Sequence, residues 1–309
     1  MRGISDKFIE DLKVGTLAEV LNIVKADPTL CLEIRENYIN IYYRGGNVLK
    51  ITEKSEGIYK FWFDVKYITD DVVKQCITSL PKSVSGNNRH IVKTWTDLLP
   101  TIKSQMDIWF GQHPKEERGR QQLVVYENNY GSGANSTDYY ICDIEYANNN
   151  CRFDMIAVKW LSTSSERKQN QNLRISFIEM KYADNALTGS AGLKKHIADM
   201  NKFLNVTDNL KNIKEEMINI FNTKVELGLL KGIKTIKSFS DENPEFILIL
   251  ANHDPAKSVL CRELKEVINS DDYKDFCSKA ELKVATACFM GYGLYDECIY
   301  PIDDFLNRL

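Results

Sequence analysis

Acidic and basic residues interrupt two apolar segments in the middle of the chain, and this pattern limits what the region can fold into. Residues 151–160 (CRFDMIAVKW) and 173–182 (LRISFIEMKY) are rich in β-branched and aromatic side chains and flank a polar loop, which predicts a β-hairpin. Glu179 and Lys181 lie two residues apart, so they share one face of their strand. Hairpin pairing can bring Asp154 beside Glu179. The sequence therefore predicts that two carboxylates and an ammonium group converge.

Such a group of charges needs a chemical partner. Burying a charge costs several kcal/mol unless the charge is paired or bound to a metal ion. Carboxylate oxygens are hard ligands that suit Mg²⁺. A structural ion pair between Lys181 and either acid is the alternative explanation.

The same residues carry a resemblance to a known family. Asp154 is followed 25 residues later by Glu179-Met180-Lys181 on an apolar strand, and then by a helix. This arrangement resembles the PD-(D/E)XK nuclease superfamily, which has the restriction-endonuclease-like fold. Phe153 stands where the superfamily name has Pro, a substitution that the superfamily commonly tolerates. The resemblance covers residues 115–295.

The resemblance implies roles for particular residues. Asp154 and Glu179 would hold Mg²⁺, or Mn²⁺ in its place, with the backbone carbonyl of Met180, while Lys181 would orient water or stabilise the phosphate. Superfamily members often add a Glu from a helix ahead of the core strands and a polar residue from the helix after them. Glu117, with Glu116 close behind, fits the first position, and an exposed helix start is its alternative. The phosphate-binding candidates, for which solvated side chains are the alternative, are His196, Lys195 and Lys194.

Two functions follow from these expectations. The first is a Mg²⁺-dependent nuclease that hydrolyses phosphodiester bonds of nucleic acid, with DNA favoured over RNA. The second is a non-catalytic binding module on the same fold, which recognises nucleic acid or a partner protein. Metal binding separates the two, because the module would not be stabilised by Mg²⁺ or Mn²⁺.

Composition indicates what class of protein contains this region. The 309 residues are 43% hydrophobic, which is ample for a globular core. The eight cysteines include no CxxC pair, which favours reduced thiols in a cytoplasmic protein. Met1–Lys13 lacks an apolar export segment, and the longest wholly apolar run, residues 246–251, is too short for a bilayer. No membrane association is expected.

Overall charge gives no strong indication of nucleic-acid binding. The formal net charge is −3, whereas nucleic-acid-binding proteins often carry a basic surface. Locally the balance differs, since residues 159–195 contain seven basic and three acidic side chains. A basic rim around an acidic centre and a solvated loop with a helix face are both consistent with this count.

The fold class predicted for the whole chain is α/β (α+β), with three regions. Residues 1–85 form an N-terminal α+β accessory domain, with a helix over residues 5–25 and a small antiparallel sheet of three or four strands that turns at Gly45-Gly46. Residues 86–112 form a helical connector. Residues 113–309 form the nuclease-like domain, a mixed β-sheet flanked by helices. Targeting, regulation and contact within a homodimer remain open for the accessory domain.

Two further expectations concern side chains on strands. Asp143 and Glu145 share a face of the first core strand and either reach the site or line a solvated side, of which we favour the solvated side. The N-terminal sheet is rich in aromatic residues that either pack the core or, if exposed, stack nucleic-acid bases. These residues are Tyr38, Tyr42, Tyr43, Tyr59, Phe61, Trp62 and Phe63.

Overall fold

The computed structural model divides the chain into two compact units. Unit 1 is Met1–Leu123 with Asn222–Lys231, and unit 2 is Val124–Phe221 with Gly232–Leu309. The division after Leu123 lies beyond the predicted start of the second domain at residue 113, and the predicted helical connector belongs to unit 1. The residues described are 2–86, 88–114, 119–131, 133–148, 151–183, 186–189, 192–230, 232–251, 258–287 and 291–309.

Each unit is built on one β-sheet, so the chain is a mixed α and β protein, as the sequence predicts. One sheet has five strands in the order β1-β2-β3-β4-β5, and the other has six in the order β11-β10-β9-β8-β7-β6. In the described part of the chain, no helix has both the length and the apolar character needed to cross a membrane.

The sheet of unit 1 is an antiparallel meander, in which each strand pairs with the next along the chain. Two helices, α5 (Gly119–Val125) and α7 (Asn209–Glu226), cross the division between the units. The strands of unit 1 are β1 (Leu30–Ile34), β2 (Tyr38–Tyr43), β3 (Gly46–Ser55), β4 (Ile58–Trp62) and β5 (Ser83–Ser85), and its other helices are α1 (Asp6–Lys13), α2 (Ala18–Ala26), α3 (Asp71–Ser79) and α4 (Arg89–Gln112).

Unit 1 differs from the sequence prediction in three places. The single helix expected over residues 5–25 is two helices, which are separated by a turn that contains Gly15. Gly15 lies so close to the backbone of Asp11 that any side chain at position 15 would clash with it. The sheet has five strands rather than the three or four expected, because β5 pairs with β4. The hairpin turn is centred on Arg44 and Gly45, both with positive φ (50° and 82°), so that Gly46 begins β3.

Buried and exposed residues alternate along β4, so the two faces of this sheet differ in their exposure to solvent. Tyr59 and Phe61 are wholly buried, with ring centroids 4.8 Å from Phe8 of α1 and 5.8 Å from Trp95 of α4. Residues on the opposite face, including Trp62, are exposed. Helices α1 and α4 therefore cover one face at this strand.

Unit 2 contains the predicted hairpin as two neighbouring strands of a mixed sheet. Strands β6, β7 and β8 pair antiparallel, β8, β9 and β10 pair parallel, and β11 is antiparallel to β10. Helices occupy the connections between the parallel strands, as such crossovers require. The strands are β6 (Tyr139–Asn148), β7 (Cys151–Lys159), β8 (Arg174–Tyr182), β9 (Glu245–Ala251), β10 (Glu281–Ala287) and β11 (Ile299–Pro301), and the helices are α6 (Leu193–Leu204), α8 (Ser258–Ile268), α9 (Asp271–Phe276) and α10 (Ile302–Leu306).

A buried carboxylate holds together the edge of the sheet at which β8 and β9 begin. Glu245, at the start of β9, is wholly buried and accepts hydrogen bonds from Tyr139, Ser176, Lys159 and Lys283. Burial alone would raise its pKa, but the ammonium groups of Lys159 and Lys283 outweigh that cost and lower the pKa to about 2. The charged carboxylate thus links β9 to four other strands, β6, β7, β8 and β10. The residues of the predicted site lie toward the other end of β8.

Candidate active site

The predicted carboxylates lie side by side where the pairing of β7 and β8 ends. Met155 pairs with Ile178, and Asp154 and Glu179 are the next residue on each strand. Asp154 Oδ2 accepts a hydrogen bond of 3.0 Å from the backbone N–H of Met180. The strand that carries Glu179 therefore fixes the position of the Asp154 carboxylate.

Glu179 is the centre of a buried polar group. Its Oε1 lies 2.9 Å from Lys181 Nζ and 3.1 Å from His196 Nε2. The side chains of Glu179 and Lys181 are each only 5% exposed, while that of His196 is 21% exposed. The strand period places Lys181 beside Glu179, as the sequence predicts. The predicted residues Asp154, Glu179, Lys181 and His196 are thus brought together.

Packing of α6 on the sheet positions His196. Phe203 of α6 contacts Phe153 of β7 and Phe177 of β8, with ring centroids 5.2 and 5.8 Å apart. Phe203 lies in the last turn of α6, and the side chains of a helix project at fixed angles. Its contacts with β7 and β8 therefore also determine where the first turn of α6 lies against β8. His196 lies in that turn and reaches Glu179.

Glu145 adds a third carboxylate, and the expected solvated position for it and for Asp143 is wrong. Glu145 lies between two pairs that join β6 to β7, Ile144 with Met155 and Tyr146 with Phe153, so it is next to Asp154. Its side chain is mostly buried and forms an ion pair with Arg152. Its backbone has a positive φ of 51°, which is uncommon for a residue other than glycine.

Asp143 is wholly buried, opposite Ile156 in the sheet, and accepts a hydrogen bond from the N–H of Ile144. The pairing of β6 with β7 shifts by one residue between Ile141 and Asp143. A simple alternation of faces does not anticipate such a bulge. The only signal in the sequence is the presence of two acids within an otherwise apolar strand.

The neighbouring carboxylates change the proton affinity of Glu179. Burial is the largest cause and the charge of Asp154 the next, and together with a smaller effect of Glu145 they outweigh Lys181 and raise the pKa to about 8. Glu179 therefore binds a proton more readily than an ordinary glutamate when no cation is bound. A divalent cation at this position would replace that proton and offset the repulsion between the carboxylates.

The donor set fits a hard divalent cation in its chemistry. Asp154 and Glu179 offer adjacent carboxylate oxygens, the ligand type that Mg²⁺ and Mn²⁺ prefer. Within the described residues, no group of three or more His, Cys, Asp and Glu side chains is arranged to hold a metal ion. Glu117 and Glu116, the predicted additional ligands, lie outside the described residues.

The two predicted phosphate-binding lysines are engaged with other acids. Lys194 and Lys195 are exposed on the first turn of α6. Lys194 Nζ lies 2.6 Å from Glu266 of α8, and Lys195 pairs with Asp199 one turn along its own helix. Such exposed pairs are weak, typically 0 to about 1 kcal/mol, so a phosphate group can compete for either lysine.

Comparisons with known proteins return no match: no family model fits the chain, and no curated protein and no solved structure is similar to it.

Proposed function

We propose that this chain is a metal-dependent nuclease that hydrolyses phosphodiester bonds of nucleic acid, with strands β6 to β10 as a restriction-endonuclease-like core. The observation that carries the proposal is the buried Glu179 carboxyl, placed between a second carboxylate and the Lys181 ammonium. Burial and Asp154 raise the pKa of this acid, so its presence in a core strand costs stability at neutral pH and above. A role in binding a cation accounts for its retention.

Each residue of the site has a distinct task in this proposal. Asp154 and Glu179 would hold Mg²⁺ or Mn²⁺, with the Met180 carbonyl and Glu117 as the further ligands that the family resemblance implies. When bound, a divalent cation stabilises charge on the scissile phosphate and lowers the pKa of water. Lys181, no longer needed as the partner of Glu179, would orient the attacking water or stabilise the phosphate. His196, Lys194 and Lys195 would contact phosphate groups of the substrate.

A non-catalytic binding module is the second candidate, and a specific observation favours it. Glu179 Oε1 already contacts both Lys181 and His196. A site closed by its own polar contacts can serve as a purely structural cluster on a fold that binds nucleic acid or a partner protein. The two candidates differ in whether a divalent cation displaces these contacts.

The setting that we propose is the cytoplasm, and the substrate that we favour is DNA. The seven cysteines that the structure describes are all free thiols, and this supports the cytoplasm, where thiols stay reduced. The choice of DNA over RNA rests on the family resemblance and is decided by the cleavage assays below.

Thermal unfolding with EDTA, Mg²⁺ or Mn²⁺ tests the proposal. We expect a metal-dependent rise in the unfolding midpoint, since a ligand at 100 times its Kd stabilises a protein by about 2.7 kcal/mol. The double variant Asp154→Asn with Glu179→Gln should lose this rise. Glu166→Gln, an exposed glutamate of the same unit, is the matched control and should keep it.

The same proteins should be assayed for cleavage of single- and double-stranded DNA and RNA. Metal-dependent cleavage that the double variant lacks supports the nuclease. If the native chain shows neither a metal-dependent midpoint nor cleavage of any substrate, the nuclease is excluded and the binding module remains.

Proton and cation compete for Glu179, which makes the stability depend on pH. Because the folded-state pKa of about 8 lies above the ordinary value of 4.5, the stabilising contribution of this group is present below pH 4.5 and is lost as pH rises to 8. In EDTA, we expect the thermal unfolding midpoint of the native chain to fall between pH 4.5 and pH 8 by more than that of Glu179→Gln. Below pH 8, the apparent metal affinity should rise about tenfold per pH unit. A midpoint that changes with pH equally in both proteins would contradict this assignment.

A further inference from the structure

One face of the five-stranded sheet of unit 1 presents lysines and aromatic rings together. Lys50 of β3 pairs with Trp62 of β4, Thr52 pairs with Lys60, and Tyr38 of β2 pairs with Thr52. Residues directly opposite each other in an antiparallel pair project from the same face. These five residues, which we call the Trp62 face, therefore form two adjacent rows on one side of the sheet.

The Trp62 face is not the side on which α1 and α4 pack. Trp62 is 42% exposed and Ile58, on the same face, is 41% exposed, whereas the intervening Tyr59 and Phe61 are 0% exposed. Lys60 is also exposed. The aromatic residues of β4 that build the core, Tyr59 and Phe61, are thus distinct from Trp62, which faces solvent.

The part of this face on β3 and β4 is positively charged, while Glu33 of β1, in the same row, is buried and paired with Lys224. Lys50 Nζ lies 3.8 Å from the centroid of the Tyr38 ring, a cation–π contact that holds the ammonium group on the face. Burial and then the nearby Lys54 lower the pKa of Lys50, and no carboxylate is among the causes. Over the described ranges, neither Lys54 nor Lys60 forms an ion pair. An anionic partner would relieve the repulsion between Lys50 and Lys54.

We propose that the Trp62 face binds single-stranded nucleic acid, with a base stacked on Trp62 and phosphates held by Lys50 and Lys60. Residues two apart on a strand are about 7 Å apart, so Trp62 and Lys60 can contact a base and a neighbouring phosphate of one extended strand. Exposed rings flanked by lysines are the combination that binds unpaired bases without sequence preference. A duplex would keep its bases stacked inside and out of reach of the ring.

A protein partner fits this face less well. Its exposed apolar side chains, Trp62 and Ile58, are separated along β4 by Lys60. Centres of protein–protein interfaces are depleted of lysine, and apolar patches that mark such interfaces are contiguous. The charge of the face therefore selects nucleic acid. The inference does not depend on the proposed cleavage, because it concerns a different sheet and needs no metal ion.

Fluorescence anisotropy with labelled oligo(dT) and oligo(U), in EDTA and with the full chain, tests this site. Trp62→Ala should weaken binding by about five- to 150-fold, the range found when a stacking aromatic is removed. Lys50→Glu with Lys60→Glu should weaken binding and reduce its salt dependence. Lys74→Glu, an exposed lysine on α3 of the same unit, is the matched charge control and should bind like the native chain.

Two further variants separate this proposal from the nuclease. Trp62→Phe should restore most of the binding that Trp62→Ala loses, because phenylalanine also presents a π-face. Asp154→Asn should bind as tightly as the native chain even if it has lost all cleavage. The proposal is overturned if the native chain binds neither oligonucleotide, if Trp62→Ala and the double lysine variant bind normally while still folded, or if Trp62→Ala weakens the binding of duplex DNA as much as that of the single strands.

Discussion

Replacing Lys181 by Met is expected to lower the rate of metal-dependent phosphodiester cleavage by roughly 100- to 1,000-fold, the loss typical for one group that stabilises charge in a transition state. The variant should stay folded. Burial and Asp154 already raise the pKa of Glu179 to about 8 despite Lys181, so removing the ammonium group leaves a neutral carboxyl rather than an unpaired charge. The loss of activity is therefore separable from a loss of structure.

Single-turnover cleavage rates and unfolding midpoints, measured on the same protein preparations, provide the comparison. Lys211→Met, an exposed lysine on the part of α7 in unit 2, is the matched control and should cleave at the native rate. Lys181→Arg should not restore activity, because the planar guanidinium does not fit a position where the lysine side chain is 5% exposed. Native cleavage by a folded Lys181→Met protein would show that Lys181 acts only as the ion-pair partner of Glu179.

Replacing Lys224 by Met is expected to destabilise unit 1 by about 3–5 kcal/mol, the cost of leaving one member of a buried ion pair without the other. Lys224 Nζ donates to both oxygens of Glu33, at 2.9 and 2.8 Å, and both side chains are 0% exposed. Cys31 Sγ donates to the same carboxylate and Arg35 lies 4.0 Å from it, but neither replaces the buried ammonium. The pair anchors the last turn of α7 to β1 within unit 1.

Urea unfolding followed by tryptophan fluorescence measures this loss, because Trp62, Trp95 and Trp109, three of the four tryptophans, lie in unit 1. Lys13→Met is the control, since Lys13 pairs with Glu226 in an exposed ion pair of the same unit and should cost at most about 1 kcal/mol. Adding Glu33→Leu to Lys224→Met should recover part of the stability by removing the unpaired charge. Equal costs for Lys224→Met and Lys13→Met would contradict the importance of burial.

The sequence by itself determined the features that depend on the repeat of a single strand or helix, which spans only about two to four residues. Alternating apolar residues predict β7 and β8 as a hairpin and place Glu179 and Lys181 on one face, both of which the structure confirms. The helix expected after Glu179-Met180-Lys181 is also confirmed, as α6. These patterns are readable because a strand or helix repeats its own geometry every few residues, whatever the rest of the chain does.

Contacts between distant residues were decided only by the tertiary structure. A shift of one residue within the pairing of β6 and β7 accompanies the burial of Asp143 and the position of Glu145 beside Asp154, against the sequence prediction. His196 reaches Glu179 because α6 packs through Phe203, and the partner of Glu33 is 191 residues away in the chain. The strand register and the packing of helices are set by competition among many alternative arrangements of the whole chain. A local pattern of residues does not show which of these arrangements has the lowest free energy.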